Sequence, residues 1–305
     1  MSGSRLRFAL GAVGSFVVAG LLIGCGFGPG EERGDARISV TRDFGRTVMY
    51  DQSLPVRESD DVMRLLTRSV DRVETTYGGG FVESIDGFAA GNADGAPVDW
   101  FFFRDGTESP VGALEAQVEP GDSIWWDRRD WSVTMYVPAV VGSWPQPFEG
   151  HPGAVDVECL MASPAGCDGV VTDLERAGAR ISEAGSERAS LRVLIGPWGR
   201  LRGEEMVQTL AKGPSTNGVY ARFVPSAGGN WLLQPLDSKG GEAGGPLRAG
   251  LVAALSDRPE RVTWIVTGVD EAAVPQRLAT TDLEHRYAVV YPDARGSRPV
   301  EIPRP

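Results

Sequence analysis

Cys159 and Cys167 are the two side chains of this 305-residue chain best placed to react with each other. The residues between them include Ser163-Pro164-Ala165-Gly166, a turn sequence able to bring two Cα atoms into disulfide range. The spacing is not the Cys-x-x-Cys of a redox pair, and no further metal ligands stand nearby. A structural disulfide is therefore expected, closing a short loop and stabilising by about 2–3 kcal/mol. Catalysis has little to draw on. The histidines are His151, in a proline-rich stretch, and His285, near an expected helix end, which leaves a triad or a histidine metal site short of members. Neither Gly-x-Ser-x-Gly nor His-Glu-x-x-His occurs. Among the 41 acidic residues no pair stands out from solvated surface charge, so only a carboxylate-only glycosidase stays open. The expectation is a chain that is not an enzyme and carries no cofactor of its own.

Gly196 and Gly268 each stand between an expected strand and an expected helix, where backbone N–H groups can hold an anion. Without a three-glycine fingerprint, a tight strand-to-helix turn is the simpler reading. The run Gly240-Gly241-Glu242-Ala243-Gly244-Gly245 lacks the Lys-Ser/Thr of a phosphate loop and reads as a flexible connection. Aromatic residues offer more. Trp100-Phe101-Phe102-Phe103, Trp125, Trp126 and Trp131 could stack on a flat ligand, or they could be the core of a small domain. Phe102 and Trp126 are assigned to the core. Trp125, Arg128, Arg129 and Trp131 are expected at the surface and are the ligand-binding candidates.

The elements that position these rings are two aromatic strands flanking turns. Trp100–Phe103 is apolar at every position, so both its faces should be covered. Arg104-Asp105-Gly106 and Glu119-Pro120-Gly121-Asp122 are turn sequences. Ser123–Asp127 follows as a strand with Ile124 and Trp126 on one face and Trp125 on the other. Upstream, 38–42 and 47–50 alternate as strands joined around Phe44-Gly45. The stretch 58–73 reads as a helix capped by Ser59, with Val62, Leu65, Leu66, Ser69 and Val73 on one face. Gly78-Gly79-Gly80 breaks the chain before a strand at 81–85.

Gly80-Phe81-Val82-Glu83-Ser84-Ile85-Asp86-Gly87, Trp100-x-Phe102-Phe103-x-x-Gly106, Val111-Gly112-Ala113 and Pro120-Gly121-Asp122-x-Ile124-x-Trp126 together resemble the small β-grasp domain at the C-terminus of transcobalamin and intrinsic factor. The resemblance covers roughly residues 38–135. It implies a binding or surface-presentation module, a corrinoid such as cobalamin as a candidate ligand, and no catalysis. Proteins of that kind hold the ligand between this domain and a helical barrel, and this sequence has no such barrel.

The N-terminus carries different chemistry. Arg5 and Arg7 precede an apolar run, Phe8–Ile23, that is short for a bilayer span of roughly 20 residues. It ends in Leu22-Ile23-Gly24-Cys25, which is similar to the bacterial lipoprotein signal, with Cys25 as the lipid-attachment thiol. An uncleaved anchor with Cys25 incidental is the alternative. Residues 1–24 are thus expected to be a signal peptide and 25–36 a flexible tether. The net charge of −11 repels phosphate backbones, so no nucleic-acid partner is expected.

Residues 137–153 hold four prolines and read as a semi-rigid linker between a first domain at 37–136 and a second at 154–305. The second alternates: strands at 154–159, 191–195, 218–224, 231–236, 262–267 and 287–291, helices at 168–179, 201–211, 246–255 and 271–279. The expected fold is an α+β, β-grasp-like domain followed by an α/β domain with a mixed or mostly parallel sheet. A weak echo, strand-Gly-helix-strand with Tyr220 and Tyr287 in matching places, fits either a duplication or chance. The function read from these features is capture or presentation of a small ligand to an uptake system. It would take place at the extracytoplasmic face of the cell membrane, through a lipid on Cys25 and with a membrane transporter as partner. The alternative is a structural lipoprotein that docks another envelope protein.

Overall fold

The computed structural model describes residues 31–182, 189–258, 260–292 and 299–304. The apolar run 8–23 and Cys25 lie outside them. The architecture is mixed α+β, mostly strands, with few helices and mixed sheets. No helix among the described residues is long and apolar enough to cross a membrane.

In chain order the first sheet region comprises β1 (Glu32–Arg42), β2 (Thr47–Arg57), α1 (Val62–Ser69), β3 (Val73–Thr76), β4 (Phe81–Ile85), β5 (Phe88–Ala89), β6 (Gly91–Ala93), β7 (Ala96–Arg104), β8 (Thr107–Glu108) and β9 (Ser123–Asp130). The main sheet runs β2-β1-β9-β7-β6 with β8 on β7, and β3-β4-β5 form a small separate sheet. β1 and β9 pair in parallel, while β1–β2 and β7–β9 are antiparallel. Alternation sorts the side chains. Ile38, Val40, Trp100, Phe102, Ile124 and Trp126 share a core with Val62, Leu65 and Leu66 of α1. Phe103 and Trp125 belong to a second core on the other side.

α1 is shorter than the expected 58–73. Asp61, rather than Ser59, caps it by accepting from the Arg64 N–H at 2.7 Å. The residues before it form a turn in which Asp60 accepts from the Arg57 N–H at 2.8 Å, and Val70 is already extended toward β3. The expected buried face is correct for Val62, Leu65, Leu66 and Ser69. The expected turns also form: Asp105 and Gly106 take φ of 51° and 82°, and Gly121 takes 93°.

The second region comprises β10 (Val155–Cys159), α2 (Asp168–Arg176), β11 (Ile181–Ser182), β12 (Leu191–Pro197), β13 (Ala221–Pro225), β14 (Trp231–Pro235), β15 (Gly250–Arg258), β16 (Arg261–Gly268), β17 (Ala288–Tyr291) and β18 (Val300–Ile302). Its sheet runs β11-β10-β12-β16-β15-β17-β18. The β11-to-β16 half is parallel and the β16-to-β18 half antiparallel. The Cys159–Cys167 disulfide ties the end of β10 to the start of α2, with Cα atoms 6.1 Å apart.

Three expected helices are corrected. Within 246–255, residues 250–255 belong to β15 instead: Leu251, Val252, Ala253, Ala254 and Leu255 are all buried in the middle of the sheet, and that packing overrides the helical preference of Ala and Leu. The stretch 201–211 breaks into single turns around Gly203. At 271–279 only the turn Glu271–Ala273 forms, because Val274 precedes Pro275 and is extended. Residues 137–153 are likewise no surface linker. Val137, Ala139, Val140, Val141, Trp144 and Phe148 are buried, and Trp144 and Phe148 lie 5.9 and 4.9 Å from the Trp264 ring. The prolines there alternate with large apolar residues, and the apolar residues decide the packing.

The two sheets share a core. Phe44, Phe103 and Trp125 of the first pack with Tyr220, Leu251, Ile265 and Tyr287 of the second. Both tyrosines of the internal echo stand edge-on to Phe44, at 5.3 and 5.1 Å.

Candidate ligand pocket

The aromatic strands do build a hollow. β7 and β9 pair so that Phe102 faces Trp126, and the rings lie 4.9 Å apart. With Trp100 these buried side chains form the apolar base of a cavity of about 270 Å³. β4 contributes Phe81 and Val82, the loop after β8 contributes Ser109, Gly112 and Ala113, and Phe101, Trp131 and Met135 complete the lining. Pockets that enclose drug-sized ligands span about 300–1,000 Å³, so this one accepts a single ring system. Of the exposed large apolar side chains, Met135 lines the cavity, and Tyr77 is 91% exposed. Tyr77 packs against Phe81 at 6.4 Å.

Acidic groups border the cavity. Burial raises the Asp99 pKa, and it pushes that of Glu108 up to about 7 despite the Arg129 guanidinium 3.5 Å away. Glu108 also accepts from the Val137 N–H at 2.7 Å. A neutral Glu108 at mildly acidic pH leaves the cavity with less charge.

Of the four residues expected at the surface, Trp131 alone lines the cavity. Trp125 is a correction. It is 1% exposed, its indole N–H donates to Thr41 Oγ1 at 2.8 Å, and Phe103 and Tyr287 cover its ring. Arg129 is a second correction. It is fully buried, donates to the Thr134 and Met135 carbonyls at 2.8 Å, and stacks 3.9 Å over Phe101. Both face a second layer of protein where solvent was expected. Arg128 is half-buried and donates to the Ala89 carbonyl at 2.8 Å, away from the cavity. Phe102 and Trp126 are core, as expected. Phe81, Glu108 and Met135 were not singled out by sequence. The signals for Phe81 were its place on a strand just after three glycines and within the motif 80–87 that carries the resemblance.

Gly196 and Gly268, expected as strand-to-helix turns, are strand residues inside β12 and at the end of β16, where close packing leaves no room for a side chain. A Cβ on Gly196 would lie 2.8 Å from Leu160, and one on Gly268 2.5 Å from the backbone of Ala273 and Val274. A larger hollow, about 420 Å³, lies beside Trp144, Glu149, Asp173 and Arg176. Its one buried acid is already paired, Asp173 taking two hydrogen bonds from Arg277 and one from the Leu278 N–H. Nothing there converges on a ligand, whereas the smaller aromatic cavity has an apolar base.

A family model described as a domain of unknown function (DUF4430) matches residues 59–129. That segment carries Phe81, Trp100, Phe102 and Trp126 and stops short of Trp131 and Met135. No curated protein matches. A solved chain from Ruminococcus gnavus, titled a "putative metal binding protein", is 14% identical with a TM-score of 0.25, over 32% of this chain and 98% of that one. A likeness at that score fixes neither fold nor function.

Proposed function

We propose that this chain is a non-catalytic, lipid-anchored protein of the extracytoplasmic membrane face. Its β-grasp-like N-terminal unit, of the transcobalamin C-terminal kind, captures one ring of a small ligand in the aromatic pocket. The parallel pairing of β1 with β9, next to a hairpin and beneath one helix, supports the β-grasp reading. The observation that carries the functional reading is the pocket itself, a Trp- and Phe-lined hollow with the exposed Met135 in its lining. A corrinoid is too large to be enclosed in about 270 Å³. Such a ligand would be gripped at one edge while a partner covers the rest.

The test is a tryptophan-fluorescence titration of the full chain in detergent with cobalamin, and separately with one-ring aromatic compounds, under inner-filter control. Saturable quenching that Trp131→Ala abolishes supports capture. If neither probe quenches at up to high micromolar concentration, autonomous capture is wrong. The exposure of Tyr77, Leu114 and Met135 favours a second reading, docking of another envelope protein. Site-specific crosslinking from Met135 in intact cells would then yield one discrete adduct. Anchoring is tested by metabolic palmitate labelling, which Cys25→Ser should remove.

A further inference from the structure

The two sheets also meet at a polar cluster remote from the aromatic pocket. Asp51 comes from β2, Arg37 from β1, and Glu284 and His285 from the segment that leads into β17. One potential ligand atom from each of Asp51, Glu284 and His285 lies within 4.8 Å of the other two. His285 is 94% buried, its ring being part of a residue only 6% exposed, and its Nε2 has no hydrogen-bond partner. That nitrogen sits 3.7 Å from Asp51 Oδ2. A buried polar atom left without a partner is costly and calls for a specific cause, such as a water or an ion.

The imidazole is held in this place by its backbone. The His285 N–H donates to the Gly142 carbonyl at 3.1 Å. The His285 carbonyl abuts Gly45, where an added Cβ would come within 1.9 Å of it. Arg37 binds both Asp51 oxygens and Glu284 Oε1, which keeps the two carboxylates together against their mutual repulsion. Arg37, Asp51 and Glu284 together carry one net negative charge, so the cluster can take further positive charge. Burial above all lowers the His285 pKa, with Arg37 and Arg286 adding to it against Asp51 and Glu284. Neutral imidazole is the form that ligates metals.

We propose that Asp51, Glu284 and His285 form a three-ligand site for a divalent cation of the zinc class, joining the β1–β2 hairpin to the approach of β17. One imidazole with two carboxylates is a nitrogen-and-oxygen donor set that zinc accepts, with water in the remaining position. Asp51 and Glu284 keep about 28% and 34% of their side chains exposed, which gives a cation a way in from solvent. Arg37 acts as a positioning residue that holds the carboxylates and shares them with the cation.

The experiment titrates zinc chloride into the full chain, stripped with a chelator and held in detergent, and reads heat. One saturable event of stoichiometry one is expected at micromolar affinity or tighter. His285→Ala and Glu284→Gln should each weaken it by about tenfold or more, and His151→Ala should leave it unchanged. No saturable uptake below about 100 µM, or uptake that survives both ligand substitutions, overturns the proposal. Should His285→Ala fail to fold, zinc K-edge absorption of the unmodified protein decides. One imidazole nitrogen with oxygens supports the site, and a shell without imidazole overturns it. The aromatic pocket is untouched by these variants, so its reading stands or falls separately.

Discussion

Trp125 and Trp131 are near neighbours in sequence and have opposite roles. Trp125 fills the space between the sheets, against Phe103 and Tyr287, with its N–H bonded to Thr41. Trp125→Ala should cost about 3–5 kcal/mol, while half-buried Trp131 should cost about 1 kcal/mol or less on truncation. Urea unfolding of the two variants separates them, and equal losses would contradict the burial assigned here. The period-two alternation of β9 was enough to divide Trp125 from Ile124 and Trp126. It could not say which face met solvent, because His285 and Tyr287, whose rings stand against Trp125, are remote in sequence. Glu108 offers a second test. Its pKa is raised from an ordinary 4.5 to about 7, so its contribution to stability is present below about pH 4.5 and lost as pH rises through 7. Measured against the parent, Glu108→Gln should gain about 1–3 kcal/mol between pH 5 and pH 8. A difference that does not change with pH would refute the assignment.

Elements were legible where local pattern and tertiary environment agreed. The aromatic strands, the Asp105-Gly106 and Pro120-Gly121 turns, β10, β12 and β16 follow from runs of apolar or alternating residues bounded by turn formers. The 246–255 stretch was not legible, since an Ala- and Leu-rich run buried on both faces carries no period that separates helix from strand. The hairpin turn between β1 and β2 depends on contacts of the same long range. Gly45 has φ of +78°, and a Cβ there would meet the His285 carbonyl at 1.9 Å and the Trp125 ring at 3.0 Å. Gly45→Ala should therefore destabilise by about 2–4 kcal/mol, through both backbone strain and steric clash. Thermal unfolding read by circular dichroism would show it. An unchanged midpoint would mean that the hairpin tip does not seat against the 284–287 segment.

At the scale of the whole molecule, the decisive feature is a core that belongs to both sheets. Phe44 and Trp125 from the first half touch Tyr220 and Tyr287 from the second. The buried Asp127 is bonded to Thr41 on one side of the junction and to Tyr287 on the other, at 2.6 and 2.9 Å. Val137 to Phe148, three prolines notwithstanding, is buried: Val137 and Val140 join this shared core, and Ala139, Val141, Trp144 and Phe148 join a separate core of the second half. Separating the halves would expose those aromatic rings, each worth about 1.5–3 kcal/mol of burial, and would leave Asp127 without its tyrosine. Far-UV ellipticity follows both sheets, whereas tryptophan emission includes Trp125 in the shared core and Trp144 and Trp264 in the separate core of the second half. If the halves are one cooperative unit, both signals should change together in a single urea transition with a common midpoint. Trp125→Ala should move that midpoint down for both signals alike. Two separated transitions, with only the fluorescence one sensitive to Trp125→Ala, would instead mean that each half folds by itself and that the shared core is a contact between finished domains.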